Sequence, residues 1–341
     1  MVLSLPSAPQ FQFLPCSHSW VALHPRPKGV IQFIGTKILG LLPTVAYHHF
    51  LKSLFEDGYT VVAIPFRFTF DHWSVTLDLL GEHYAVRGAM IETAVASGYS
   101  PDIYLDPANY AWIGHGLGCK YVTLLELVSS PIDVLKKHFQ ALGQGLALQR
   151  RQTRCLENGL ADIQKSLHSL EKRIHQLTGH AVAYGQPSIK DEVSLLLAPV
   201  MTDLDGAIPL KPLEKLLGNF IKVHPTVEQT HWLVEQSHLF HLTGLLQFAR
   251  DRIAVGTCHE LMQRQPHIRR RLLKGNHLEV IGLQVGLCVV DLNPFDKFIQ
   301  PLRYRDLESK TLTLLTRLRH APSTVPLKTG GNLRRRRSIA A

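Results

Sequence analysis

The 341-residue sequence has few cysteines and no pair of them at short spacing. Its five cysteines are scattered along the chain: Cys16, Cys119, Cys155, Cys258 and Cys288. A disulfide framework or a structural zinc site normally requires closely spaced cysteines, so neither is expected, and a reducing compartment is favoured. The sequence predicts no metal site and no cofactor.

Long uninterrupted apolar runs are also absent. The longest mostly apolar stretch, 29–47, is interrupted by Gln32, Lys37 and Pro43, so no transmembrane segment is expected. The amino terminus has no basic region ahead of an apolar one, so no secretory signal is expected. We therefore expect a cytoplasmic protein.

Charged residues are sparse, at 19% of the chain, whereas hydrophobic residues make up 45% and can fill a sizeable core. The net charge of +10 is unevenly distributed. The segment 303–341 carries +8 and the segment 136–182 carries +5, so the remainder is slightly acidic. No specific nucleic-acid surface is therefore predicted on the folded core, and any anionic partner is expected to meet these two segments.

Short apolar runs alternate with helical patterns, which is typical of a mostly parallel sheet with helices on both faces. The predicted helices include 44–57, 75–97 and 226–236, the last with a capping signal at Thr226 and Gln229. The predicted strands are Trp20–Leu23, Gly29–Ile34, Thr60–Pro65, Tyr110–Gly114, Glu192–Ala198, Thr243–Ala249 and Ile268–Leu273. The fold class is therefore predicted to be α/β.

One segment interrupts the alternation. From Leu135 to Leu177, mostly apolar residues recur at spacings of four and three, without a break from Leu156 to Leu177. This pattern predicts a long helix or a bent helical hairpin, inserted at about 132–185. The helix could pack its apolar stripe on the protein's own surface, form a coiled-coil arm that makes a homo-oligomer, or act as a lid or membrane-surface helix.

The sharpest local motif lies where the fourth of these strands runs into a helix. Gly114, His115, Gly116 and Gly118 occupy the strand–turn–helix context of the nucleophile elbow, G-x-S-x-G. In a hydrolase the central residue carries the nucleophile at the carboxyl edge of the sheet. Here the central residue is Gly116, which has no side chain and cannot form an acyl-enzyme.

The remaining members of a triad are sought in the order that this fold uses. Asp251 follows an apolar strand, where the acid is expected, and His277 follows the next strand, where the histidine is expected. The oxyanion hole is expected from the backbone N–H groups of Leu117 and of Thr36. Asp71 and His72 are expected in a loop near the pocket mouth.

Alternatives to this interpretation remain open. The glycine-rich turn, which precedes a helix, could cradle a phosphate. Asp251 and His277 could form a structural loop pair, or they could activate a water molecule as a general base. Cys119 lies one turn into the helix, so its thiol is not expected to replace the elbow side chain.

These motifs resemble an uncharacterised cyanobacterial and plant-chloroplast family of α/β-hydrolase-like proteins. The order and spacing of the matching stretches carry the resemblance, over roughly residues 20–320. The stretches are Gly29–Gly35, Glu56–Pro65, Phe70–His72, Gly114–Lys120, His224–Leu233, Phe248–Ile253 and Gly275–Leu278. The resemblance implies an α/β-hydrolase fold without an established substrate, and location in the stroma for a plant protein. Family members commonly carry serine where this chain has Gly116.

The sequence thus predicts one α/β-hydrolase-like domain at 19–321, preceded by an extension at 1–18 and followed by a basic tail at 322–341 that includes Arg334–Arg337. The favoured function is a degenerate, non-catalytic hydrolase-fold protein that binds an unknown small-molecule ligand or protein partner. The alternative is a weak, serine-independent hydrolase of ester-like bonds that uses Asp251 and His277.

Overall fold

The computed structural model describes residues 9–67, 69–142, 146–201, 223–237, 240–290 and 299–320. Within these residues, the central sheet has eight strands in the order β1-β2-β4-β3-β5-β6-β7-β8. The strands are β1 (Leu14–Cys16), β2 (Ser19–Ala22), β3 (Val30–Ile34), β4 (Thr60–Ala63), β5 (Tyr110–His115), β6 (Val193–Leu197), β7 (Thr243–Phe248) and β8 (Arg269–Leu273). Strand β2 is antiparallel to both its neighbours, and the other neighbouring pairs are parallel.

Helices cover both faces of this sheet. They are α1 (Pro43–Ala46), α2 (His48–Glu56), α3 (His72–Ala96), α4 (Asp102–Leu105), α5 (Leu117–Val128), α6 (Ile132–Ala141), α7 (Leu146–Thr178), α8 (Val227–Gln236), α9 (Val255–Arg264) and α10 (Leu307–Arg319). Helices α2 and α10 contact each other on one face, and α3, α5 and α8 pack in sequence on the other. A small antiparallel sheet of β9 (Leu283–Val285), β10 (Cys288–Val290) and β11 (Ile299–Pro301) follows β8.

The predicted mostly parallel sheet flanked by helices is confirmed, and each of the seven predicted strands overlaps one of β2–β8. These strands are predictable because β3 to β7 are buried along their whole length and are mostly apolar. The expected helix 44–57 is divided into α1 and α2 at Tyr47. The predicted cap of α8 is confirmed: Thr226 and Gln229 form a reciprocal capping box.

The sheet begins before residue 19, the amino-terminal boundary that the sequence suggests for the domain. Strand β1 pairs with β2 inside the segment 1–18 that the sequence assigned to an extension. It escaped prediction because it has only three residues, includes Pro15, and leaves the Leu14 side chain exposed. The predicted tail at 322–341, with Arg334–Arg337, lies outside the described residues.

The inserted helix α7 packs along α3 of the same chain. Four apolar side chains of its stripe, Leu156, Ile163, Leu167 and Ile174, are buried there. The stripe therefore packs on the protein's own surface, which is the first of the three alternatives that the sequence leaves open. Leu177, at the end of the stripe, stays partly exposed.

No helix in the part of the chain described above is long and apolar enough to cross a membrane. The same residues contain no group of three or more histidine, cysteine and acidic side chains arranged to hold a metal ion.

Candidate active site

The turn between β5 and α5 has the backbone shape of a nucleophile elbow. Gly116 stands between them with φ +56° and ψ −117°, in the left-handed region that L side chains rarely adopt. Its N–H donates to the Leu197 carbonyl at 3.1 Å, and its own carbonyl accepts from Val200 N–H at 3.1 Å. The strained turn is thus fixed by the strand next to β5.

The glycines that flank the turn are required by close approach. A Cβ at Gly114 would lie 2.7 Å from the Cys119 nitrogen, and a Cβ at Gly118 would lie 2.7 Å from the Gly35 carbonyl oxygen. Both neighbours are backbone atoms and cannot move aside without shifting a strand or a helix. These contacts explain why the elbow motif needs glycine on both sides of its central residue.

Asp251 and His277 come together at the same edge of the sheet. The His277 Nδ1 atom lies 2.9 Å from Asp251 Oδ2. The other carboxylate oxygen accepts from the N–H groups of Ile253 and Ala254, at 2.9 and 3.0 Å. The loops are also joined by Arg250 N–H, which donates to the Gly275 carbonyl at 3.0 Å.

This hydrogen bond fixes the proton arrangement of His277. An ionised carboxylate only accepts, so Nδ1 carries the proton and Nε2 of the neutral ring is an acceptor. Burial opposes ionisation of Asp251, but the hydrogen bond from His277 and the two backbone donors outweigh it and hold the carboxyl pKa below its usual value. Nε2 faces the elbow, 3.5 Å from where a Cβ of residue 116 would stand.

The space beside Gly116 is occupied by the side chain of Thr36. A Cβ built on Gly116 would lie 2.8 Å from Thr36 Cβ and even closer to Thr36 Oγ1. The Leu117 N–H donates to that same hydroxyl oxygen at 3.3 Å. Thr36 and Leu117, the two predicted oxyanion-hole residues, are therefore in contact. The contact joins the Thr36 side chain to the Leu117 backbone.

Tyr47 completes this arrangement, and sequence reasoning did not select it. Thr36 N–H donates to the Tyr47 hydroxyl at 2.9 Å, and that hydroxyl lies 2.9 Å from His115 Nδ1. His115 Nε2 lies 2.9 Å from the His277 carbonyl oxygen, which can only accept. His115 therefore donates from Nε2 and accepts the Tyr47 proton at Nδ1.

This chain of hydrogen bonds connects three loops of the site. Burial lowers the pKa of His115 to about 3, so the ring stays neutral and can maintain both contacts. Burial likewise raises the pKa of Tyr47, which keeps its hydroxyl protonated. In the sequence, Tyr47 stands out only as an aromatic residue shortly after the Thr36 loop. That position does not distinguish Tyr47 from the other aromatic residues of the core.

Asp71 and His72 contact the start of α3 and the α5 helix. The Asp71 carboxylate caps α3 by accepting from Ser74 N–H at 3.2 Å. The buried His72 ring packs edge-on against Tyr121 of α5, at 5.3 Å between ring centres. These contacts give the two residues a place in the helix packing, and the structure does not pair them with Asp251 or His277.

The thiol of Cys119 is buried in the first turn of α5. It lies 3.1 Å from the Gly114 carbonyl oxygen and 3.3 Å from that of Leu197. Burial raises the pKa of this thiol well above its usual value, so the thiolate that a nucleophile requires is disfavoured. The expectation that Cys119 does not replace the elbow side chain agrees with this environment.

The match to a known protein family covers the amino-terminal part of this site. Residues 13–137 match the family described as Protein of unknown function (DUF1350). That stretch runs from β1 through the elbow into α6 and includes Thr36, Tyr47 and Gly116. No match was found among curated protein sequences.

Several solved esterase structures are similar in fold. The carboxylesterase Cest-2923 from Lactobacillus plantarum WCFS1 is 12% identical, with a TM-score of 0.49 over 89% of this chain and 95% of the other. The propionate-bound esterase Est2 from Thermogutta terrifontis is 10% identical, with a TM-score of 0.43 over 92% of this chain and 96% of the other.

The strand order of this chain is itself that of an α/β-hydrolase fold. The elbow follows β5, the acid follows β7 and the histidine follows β8, in the chain order that this fold uses. The fold class expected from the sequence is therefore confirmed, and the expected resemblance to an uncharacterised family is matched over residues 13–137.

Proposed function

We propose that this chain is a hydrolase-fold protein that binds a ligand or a partner without acyl-enzyme catalysis. One observation carries the proposal: Gly116 has no side chain, and Thr36 occupies the space that a Cβ at position 116 needs. Covalent hydrolases of this fold attack through the elbow side chain. Without that side chain, the covalent step has no nucleophile.

The two expected oxyanion-hole donors support the same proposal. An oxyanion hole works when its N–H groups are available to the negative oxygen that develops in the transition state. Here Leu117 N–H donates to the Thr36 hydroxyl, and Thr36 N–H donates to the Tyr47 hydroxyl. Both donors have internal acceptors, so an oxyanion would have to displace a hydroxyl group before it could be stabilised.

Binding is supported by the polar framework that surrounds the elbow. Asp251 and His277 hold each other in a fixed orientation, and His115 ties the His277 backbone to the elbow strand. A polar group that is positioned before binding costs a ligand little ordering entropy. His277 Nε2 accordingly offers a preorganised acceptor to the hydroxyl or amide N–H of a small molecule.

A second candidate function is hydrolysis by an activated water molecule. The observation that favours it is the proton arrangement of His277, whose Nδ1 proton is engaged by Asp251 while Nε2 faces the elbow. In this arrangement Nε2 can take a proton from an attacking water molecule. General-base catalysis of this kind contributes roughly 10²–10⁴-fold in rate. Such an enzyme would work without a covalent intermediate.

The rate of ester hydrolysis separates the two candidates. With 4-nitrophenyl acetate and the full chain, we expect the unmodified protein and His277→Ala to differ by less than about twofold, because the pair has no nucleophile to activate. His259→Ala, which removes an exposed histidine of α9, is the control for background reaction of surface imidazoles. A loss of about tenfold or more in both His277→Ala and Asp251→Asn, but not in the control, would establish the hydrolase instead.

A further inference from the structure

A cavity lies beside the loops that carry Asp251 and His277. It has a volume of about 520 Å³ and is lined by Arg250, the end of β8 with Lys274 and Gly275, and the segment that leads into α10. This volume is in the range of small-molecule sites, and the carboxyl edge of a parallel sheet is where such sites usually lie. Gly116, Asp251 and His277 are not among its lining residues in the described part of the chain.

The lining of this cavity is predominantly basic. Its positive side chains are Arg250, Lys274, Arg303, Arg305 and Lys310, against the two carboxylates of Glu279 and Asp306. Within the described residues, Lys274, Arg303 and Lys310 form no ion pair with a carboxylate. The cavity therefore favours an anion with more than one negative charge.

Arg305 is the best-buried of these cations. Its side chain is 3% exposed, and its Nε donates to Glu308 at 2.7 Å. The Nη2 atom is buried and has no hydrogen-bond partner within the described residues. A buried guanidinium donor without a partner is costly, and a planar fork of this kind matches the oxygens of a phosphate or carboxylate.

The amino-terminal end of α10 points to the same kind of ligand. Leu307, the first residue of this 13-residue helix, lines the cavity, and the preceding Asp306 makes no side-chain capping hydrogen bond. The first N–H groups of a helix and its dipole favour an anion at this end. This observation is independent of the Arg305 side chain and agrees with it.

Apolar surface next to the cations indicates that the anion has an organic part. Leu272 and Tyr304 line the cavity and are 55% and 66% exposed. The Arg303 guanidinium lies over the Tyr304 ring, 4.7 Å from its centre, so charge and aromatic surface are presented together. A bare inorganic ion would leave both apolar side chains uncovered.

We propose that this cavity is a binding site for a small organic phosphate monoester. The phosphate group meets Arg305, Lys274 and the start of α10, and the organic part covers Leu272 and Tyr304. The site stands independently of whether the elbow is catalytic, because it uses none of the elbow groups. The loops that border the cavity also carry Asp251 and His277, so a bound ligand would restrict the movement of both loops.

Calorimetric titration of the full-length protein with phenyl phosphate tests the site. We expect saturable binding that is at least about tenfold tighter than that of benzoate, inorganic phosphate or phenol, because each of these lacks part of the complementarity. Lys274→Gln combined with Arg303→Gln should weaken phenyl phosphate by about tenfold. Arg26→Gln, on an exposed loop before β3, is the matched control and should leave binding unchanged.

Arg305→Lys distinguishes a phosphate-binding fork from general positive charge. Lysine keeps the positive charge but lacks the paired N–H donors of the guanidinium. We therefore expect this variant to bind phenyl phosphate more weakly and to have an unchanged melting temperature. Should this variant unfold, the Lys274 and Arg303 variant still decides the question.

Four results would overturn the proposal. They are no saturable binding of phenyl phosphate, equal affinity for benzoate, unchanged binding in the Lys274 and Arg303 variant, and loss of binding only when Arg334–Arg337 are replaced by glutamine. The second result would assign a carboxylate ligand, and the last would assign binding to the carboxyl-terminal tail.

Discussion

At position 116 the absence of a side chain leaves space for a neighbour. Thr36 occupies this space, its hydroxyl accepts from Leu117 N–H, and the Tyr47 hydroxyl accepts from Thr36 N–H. Asp251 and His277 nevertheless keep the hydrogen bond and orientation that a triad uses. The site therefore combines a hydrogen-bonded acid–histidine pair with an elbow whose two expected oxyanion-hole N–H groups already have internal acceptors.

Glu126 of α5 gives a prediction about the response of the fold to pH. Burial raises the pKa of its carboxyl to about 8, and Ser194 donates to it at 2.6 Å. In the unfolded chain the pKa of this carboxyl is near its ordinary value of 4.5. Because the folded-state pKa is the higher one, the unfolding free energy should fall between pH 5 and pH 8, by up to about 1.4 kcal/mol per pH unit.

Glu126→Gln removes the ionisation and keeps the shape of the side chain. Urea denaturation across pH 5 to 8 should show that this variant lacks the loss of stability seen in the unmodified protein. Glu56→Gln, an exposed glutamate of α2, is the control and should keep the original pH dependence. Parallel pH curves for the unmodified protein and Glu126→Gln would show that Glu126 does not carry this effect.

Individual site residues were predictable to different extents. Gly116, Asp251 and His277 follow from the order of strand ends, because they stand shortly after the predicted strands that correspond to β5, β7 and β8. Tyr47 and Arg305 could not be selected, because their roles depend on which loops the fold brings together. Thr36 was assigned by position, but the direction of its side chain into the elbow depends on the conformation of its loop.

At the scale of elements, helix α7 packs along α3, and small residues mark the contact. Gly81 and Gly88 lie on α3, where the side chains of Ile163 and Leu170 approach them from α7. A Cβ on Gly81 would lie 3.8 Å from Ile163, an ordinary contact. A Cβ on Gly88 would lie 2.6 Å from a terminal carbon of Leu170, which would have to move.

Two alanine substitutions test this packing by urea denaturation. Gly81→Ala should stabilise the protein by about 1 kcal/mol, because alanine is the better helix former and the site has room. Gly88→Ala should gain about 1 kcal/mol less, because Leu170 must repack. Equal gains in both variants would mean that α7 does not press on α3 at Gly88.

The sequence predicted elements best where burial is complete. The strands β3 to β7 are buried along their whole length and mostly apolar. Strands β1 and β9 to β11 have three residues each and are partly exposed, so they carry little periodic signal. The heptad spacing predicted the helix α7 but not its partner. The spacing shows that a stripe needs an apolar partner surface, but it does not specify which surface; here that surface includes α3.

At the scale of the whole molecule, part of the positive charge of the segment 303–341 belongs to the folded domain. The sequence predicts that an anionic partner meets this segment and that the domain extends to residue 321. Arg303, Arg305 and Lys310 lie at the start of α10 and line a cavity next to the acid and histidine loops. The cause is that α10 packs on β6 and β7 as part of the domain, so its first turn reaches the edge of the sheet.

The turn at Gly116 has the backbone shape of a nucleophile elbow, but Thr36 occupies the space beside it and position 116 carries no nucleophilic side chain. Restoring the hydrolase arrangement therefore takes two changes, Thr36→Gly to vacate the space and Gly116→Ser to supply the hydroxyl. Gly98→Ser, at an exposed glycine with open space around it, is the matched control for an added serine.

Intact-mass spectrometry after reaction with a fluorophosphonate is the most direct measurement. We predict no adduct on the unmodified chain or on Gly98→Ser, and one adduct on the double variant Thr36→Gly, Gly116→Ser. Adding His277→Ala to that double variant should abolish the adduct, because the histidine takes the serine proton. An adduct on Thr36 of the unmodified chain, or a folded double variant that stays unlabelled, would contradict the account.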